Sequence, residues 1–206
     1  KRRRQAVLET ALARELEATD PLRALEHGLV ALKLVPDFVP AALIAARIQS
    51  HRGDTRRAMS LLRRVWRATA HPHVATLYAN ATPGASAVDR LRRVRELIDM
   101  PPPNLPAAIV LARAAVDAYE WATARNALAS TSVANPTQAV CLLMAEIEEG
   151  QNADQGKARE WLARAVRAPG DPVWTADGIT ADEWEPVSPV TGQLDAFAWR
   201  VPLSTV

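Results

Sequence analysis

The chain has 206 residues, 49% of them apolar, with 25 basic and 23 acidic side chains and a formal net charge of +2. That length and apolar content support a buried core in one large domain or two small ones, and the near balance of charge argues against a dedicated nucleic-acid binder. One cysteine excludes an internal disulfide framework or a Cys-rich zinc site, two Phe and two Tyr argue against a large β-sandwich, and the longest apolar run, 139–145, is too short to span a bilayer.

The chain opens at Lys1 with no signal-peptide pattern and reads as a piece of a longer protein. Helical periodicity dominates as far as residue 170. Leu8, Leu12 and Leu16 share one helical face, as do Leu25, Leu29 and Leu32, and then Leu61, Leu62, Val65 and Trp66. Breaks fall regularly at Asp20-Pro21, Val35-Pro36, Gly53-Asp54, His71-Pro72, Pro83-Gly84, Pro101-Pro102-Pro103, Asn135-Pro136 and Gly170. They delimit helices of about 12 to 16 residues joined by short turns, as in arrays of paired helices.

A repeat underlies the spacing. Ala58 with Leu62 marks the second helix of a pair; Ala24, Ala124 and Ala158 recur in the same register, and a blurred unit around Leu91 fills the gap. Ala11, Ala45-Ala46, Ala112 and Ala145 recur early in the first helices. Small residues at both places let paired helices approach closely, and a proline after the second helix ends it. This is the tetratricopeptide pattern. The expected fold is therefore all-α: a right-handed α-solenoid of antiparallel helix pairs over 1–170. A Trp- and Pro-rich tail over 171–206 would pack on the last repeat as its cap. In that tail Trp174, Trp184 and Trp199 supply a small core, with turns at Asp177-Gly178 and Thr191-Gly192.

Several stretches resemble the HemY-type inner-membrane proteins associated with bacterial haem biosynthesis. They are Leu32-Lys33-Leu34-Val35-Pro36-Asp37-Phe38-Val39-Pro40-Ala41-Ala42, Val65-Trp66-Arg67 with His71-Pro72-His73, Cys141-Leu142-Leu143-Met144-Ala145-Glu146, Glu160-Trp161-Leu162-Ala163-Arg164-Ala165, and the tail from Asp171-Pro172-Val173-Trp174 to Trp199-Arg200-Val201-Pro202. The resemblance covers nearly the whole chain. It implies a soluble scaffold carried by membrane helices upstream, on the cytoplasmic side of a bacterial inner membrane, with haem-pathway or other inner-membrane proteins as partners. Within the tail, Trp184-Glu185-Pro186-Val187-Ser188-Pro189-Val190-Thr191-Gly192 also resembles a zinc-ribbon knuckle with hydroxyls in place of cysteines. Neutral hydroxyls are poor zinc ligands, so a degenerate ribbon without metal is expected.

Catalytic signatures are scarce. No Gly-x-Gly-x-x-Gly, P-loop or arguable Ser-His-Asp set occurs, so neither an enzyme nor a cofactor is expected. Cys141, in an apolar helix, reads as a packed small hydrophobe. The array architecture points to partner binding in a groove lined by first helices. The register places Leu43, Arg47 and His51 there from one unit, Ile109, Arg113 and Val116 from another, and Leu143 and Ile147 from the last. Arg47 and Arg113 share one repeat position and suit an acidic segment or chain terminus; the alternative is that both are solvated or already paired with Asp117 and Glu146. A second functional reading is haem or porphyrin handling, with His51 or His73 as iron ligand. The arginines of 56–67 and 90–95 read as solvated faces, with attraction to anionic lipid headgroups as the functional alternative and nucleic acid disfavoured.

Overall fold

The computed structural model describes residues 1–131 and 134–203. Ten helices are present among them: α1 (Arg2–Leu16), α2 (Pro21–Leu34), α3 (Val39–His51), α4 (Thr55–Thr69), α5 (Pro72–Ala79), α6 (Ala87–Leu97), α7 (Leu105–Asp117), α8 (Trp121–Leu128), α9 (Gln138–Asn152) and α10 (Gln155–Arg167). Three short strands follow: β1 (Val173–Ala176), β2 (Ile179–Ala181) and β3 (Ala198–Arg200). The expected breaks start the helices. Asp20, Asp54, Asn104 and Asp154 each accept a backbone N–H of the first turn, and Ser86 with Asp89 closes a reciprocal capping box on α6. Thr137 makes no such bond for α9. Asp171, far along the chain, takes the Ala139 N–H at 2.8 Å instead.

The chain divides into two compact units, Lys1–Thr82 with Pro172–Val206, and Pro83–Asp171. In the first, α1 to α5 pack each on the next in chain order, and α3 also meets both α1 and α5. The second, α6 to α10, repeats this order, with α7 against α9. Such neighbour-to-neighbour packing is compatible with a helical solenoid. All but one of the recurring alanines sit in the core: Ala24, Ala45, Ala46, Ala58, Ala112 and Ala124 are fully buried, Ala145 and Ala158 nearly so, and Ala11 is only half-buried. Cys141 is fully buried in α9, as expected, and burial pushes its thiol pKa up.

Two expectations change. The Leu8 and Leu12 stripe of α1 is not its core face, since each is 48% exposed while Ala6, Val7, Thr10 and Ala13 are buried. Closely spaced helices select the small-residue face and turn the bulky one outward. The tail, expected on the last repeat, belongs instead to the first unit. Its β1 pairs antiparallel with both β2 and β3, and its indoles pack against Phe38, His71 and His73. The buried aromatic edge that the tail completes is that of α3 and α5. The last three residues assigned to the tail lie outside the described residues.

The tail is more regular than the sequence suggests. Asp177 and Gly178, both at positive φ, make a two-residue hairpin turn between β1 and β2. In the knuckle-like segment the Ser188 hydroxyl accepts the Val190 and Thr191 N–H groups, and the Thr191 hydroxyl donates to Asp177 at 2.8 Å. Hydrogen bonds from Ser188 and Thr191 hold the Asp177 carboxyl below its usual range. Two hydroxyls and one carboxylate satisfy one another here, a donor set unlike the thiolates of a zinc site.

Candidate functional site

The first unit contains a cavity of about 450 Å³. Three first helices build it. From α3 it receives Pro40, Leu43, Ile44 and Arg47, and from α5 His73, Thr76, Leu77 and Asn80. Both sets follow the spacing i, i+3, i+4, i+7 that defines one helical face. The end of α1 adds Arg14 and Glu17; the tail closes the wall with Trp174, Asp182, Glu183 and Trp184. The lining is thus largely apolar, with charged groups set among aromatic walls, the mixture typical of recognition sites.

Two of its charged groups pair with each other. The Arg47 guanidinium makes a two-point contact with Glu17, Nε to Oε1 at 2.5 Å and Nη2 to Oε2 at 3.0 Å. The hydrogen bond to Glu17 raises the Arg47 pKa against the opposing effect of burial. His71, at the start of α5, is 3% exposed and accepts the His73 N–H through Nδ1 at 3.1 Å. Burial, aided by His73, pushes its pKa down to about 3. Its ring lies 5.3 Å from Trp174 and 4.1 Å from Trp199, so a neutral imidazole is held against two indoles. Burial also lowers the His73 pKa, opposed by Glu183 and Asp182. Trp174 keeps a buried indole N–H with no acceptor among the described residues.

Of the residues singled out by sequence, Leu43, Arg47 and His73 come together in this cavity. His51 is exposed at the end of α3 and is not part of the lining. Ile109, Arg113, Val116, Leu143 and Ile147 belong to the second unit. There Val116 and Leu143 are 4% exposed and Ile147 is 0% exposed, so these three fill the core instead of presenting a surface. Ile109 is half-buried and Arg113 exposed. Arg113 binds Asp117 at 2.7 Å and reaches Glu146 with both terminal nitrogens at 2.7 and 2.9 Å. Hydrogen bonding to Glu146 and Asp117 raises its pKa. Of the two readings left open for the arginines, pairing is the one observed: Arg47 ties α3 to α1 and Arg113 ties α7 to α9.

Arg14, Glu17, Asn80 and the tail residues were missed. A signal existed for two of them. Arg14, Arg47, Asn80, Arg113 and Glu146 are spaced by the same 33 residues that separate the last two, so one repeat position runs through every first helix. Nothing local marks Trp174 or Glu183, whose place depends on pairing distant in sequence. Among the described residues, no group of three or more His, Cys, Asp or Glu side chains is placed to hold a metal ion, and no helix is long and apolar enough to cross a membrane.

No family model matches the chain. It is similar to the probable magnetosome protein Mms48 of Magnetospirillum gryphiswaldense, with 26% identity over 199 residues, 91% of this chain. The chain spans 42% of that relative's length.

Proposed function

We propose that this chain is a non-enzymatic protein-interaction scaffold of the tetratricopeptide type, a right-handed solenoid whose first unit holds a segment of a partner protein. The observation that carries this is the cavity itself: apolar side chains of α3 and α5 present one face each to a space walled by two indoles. The alanine register buried at the helix contacts supports the repeat type. The sequence resemblance supports a setting at a bacterial inner membrane near the haem pathway, and the relative named for the magnetosome offers another. His73 supports a second reading, haem or porphyrin handling, because it lines the cavity with an imidazole whose pKa burial lowers.

One set of variants tests both readings. A photo-crosslinking residue in place of Leu77 is expected to capture a partner in cells, with capture lost when Leu43→Glu is added and absent from the exposed Val166 position. Equal capture at Val166 would overturn the scaffold reading at this cavity. A stoichiometric Soret shift with haemin, abolished by His73→Ala, would move the assignment to haem.

A further inference from the structure

Helix α4 is unlike every other basic segment of the chain. It carries Arg56, Arg57, Arg63, Arg64 and Arg67 and no carboxylate, above a buried face of Ala58, Leu62, Val65 and Trp66. Several arginines on other elements meet acids: Arg3 with Asp195, Arg47 with Glu17, Arg113 with Asp117 and Glu146, Arg125 with Glu148. On α4 only Arg57 has such a contact, to the helix-capping Asp54 at 3.5 Å with the arginine 79% exposed. A pair so open to water contributes little. Arg63 donates to the neutral Tyr78 hydroxyl at 2.6 Å. Arg56, Arg64 and Arg67 have no carboxylate partner among the described residues.

This stripe borders a depression of about 490 Å³ between α2 and α4, lined by Leu29, Lys33, Arg57, Ser60, Leu61 and Arg64. Three cations and a hydroxyl there surround a space edged by leucines, of which Leu29 is 38% exposed. Gln49, which also lines it, is 8% exposed and its amide oxygen has no donor. Three cations and a hydroxyl around one depression fit a phosphate ester. The exposed Leu29 and half-buried Leu61 at the rim fit acyl chains better than bases, since stacking platforms for nucleic acid need aromatic faces.

We propose that the α2–α4 face docks on an anionic phospholipid surface, with Lys33, Arg57 and Arg64 taking headgroup phosphates of the phosphatidylglycerol kind. The proposal is independent of what fills the cavity of α1, α3 and α5. Co-sedimentation of the whole chain with vesicles tests it. Binding is expected to phosphatidylcholine vesicles containing phosphatidylglycerol, to fall with added salt, and to be absent with phosphatidylcholine alone. Each neutralisation among Lys33→Gln, Arg57→Gln and Arg64→Gln is expected to weaken binding about fivefold, and all three about a hundredfold. The pair Arg92→Gln and Arg95→Gln on α6 is expected to leave it unchanged. Circular dichroism should match wild type throughout, because every substituted side chain is exposed. Equal binding to neutral vesicles, or none to the anionic ones, would overturn the proposal. So would competition by free glycerol phosphate, which points to a soluble ligand, or binding of single-stranded RNA that needs the same three residues while vesicles are ignored.

Discussion

His71 shows how one side chain can serve the fold in one protonation state only. Its Nδ1 takes the His73 N–H, which opens α5, so the proton of the neutral ring sits on Nε2. Nε2 is buried and has no oxygen or nitrogen partner among the described residues. The rings of Trp174, Trp199 and His73 pack against the imidazole. Protonation would place a charge in a buried site beside indoles and His73, hence a pKa lowered by burial, aided by His73, to about 3. The consequence for stability has a definite sign. Below the ordinary imidazole value of about 6.5 the unfolded chain takes up a proton that the folded chain refuses. This group therefore removes stability as the pH falls from about 6.5 towards 3, by up to about 1.4 kcal/mol per pH unit. His71→Asn keeps a side-chain acceptor for the His73 N–H and does not titrate. Urea unfolding of the two proteins across the acidic range should show the variant gaining on wild type at about that rate; parallel curves would mean that His71 is protonated in the folded state.

At the scale of helices, two glycines look alike in sequence and differ in what they do. Gly28 lies within α2 in the small-residue register, and a Cβ added there would sit 3.6 Å from the Ala45 Cβ, an ordinary contact. Gly150 lies within α9, and a Cβ there would come within 2.3 Å of the Trp121 ring of α8. The first glycine costs helix propensity without being required by packing, so Gly28→Ala should stabilise by about 0.5–1 kcal/mol. The second is a seat for an indole. Gly150→Ala must displace Trp121 and should destabilise by about 1–3 kcal/mol. Chemical denaturation measures both, and Trp121→Ala in the Gly150→Ala background should remove the clash. The same logic explains α1, whose alanine face is buried while Leu8 and Leu12 remain exposed. In a closely spaced helix pair the smaller stripe can be the core face, and a leucine count alone misassigns it.

Over the whole chain, what was legible was local. Helix boundaries could be read because Asp-Pro, Gly-Asp and His-Pro steps act within one turn, and the pairing of helices because Ala24, Ala58, Ala124 and Ala158 recur in one register. The groove position was half legible: Arg47 and Arg113 share a repeat position with Glu146, whereas no sequence signal joins Glu17 to Arg47. Contacts between distant segments could not be read. Arg3 pairs with Asp195 across 192 residues, and Phe38 meets Trp184 edge-on at 5.6 Å, with no sequence signal joining them. The tail's destination therefore separates the two accounts of it. A cap on the last repeat would protect α9 and α10, whereas a wall of the first unit protects α3 and α5. Truncation after Asp171 keeps the residue that caps α9 and removes Trp174, Trp184 and Trp199. Hydrogen exchange on the truncated chain should then rise in α3 and α5, where Phe38 and His71 lose their aromatic cover, while α7 and α9 keep their protection. Faster exchange confined to α9 and α10 would return the tail to the end of the array.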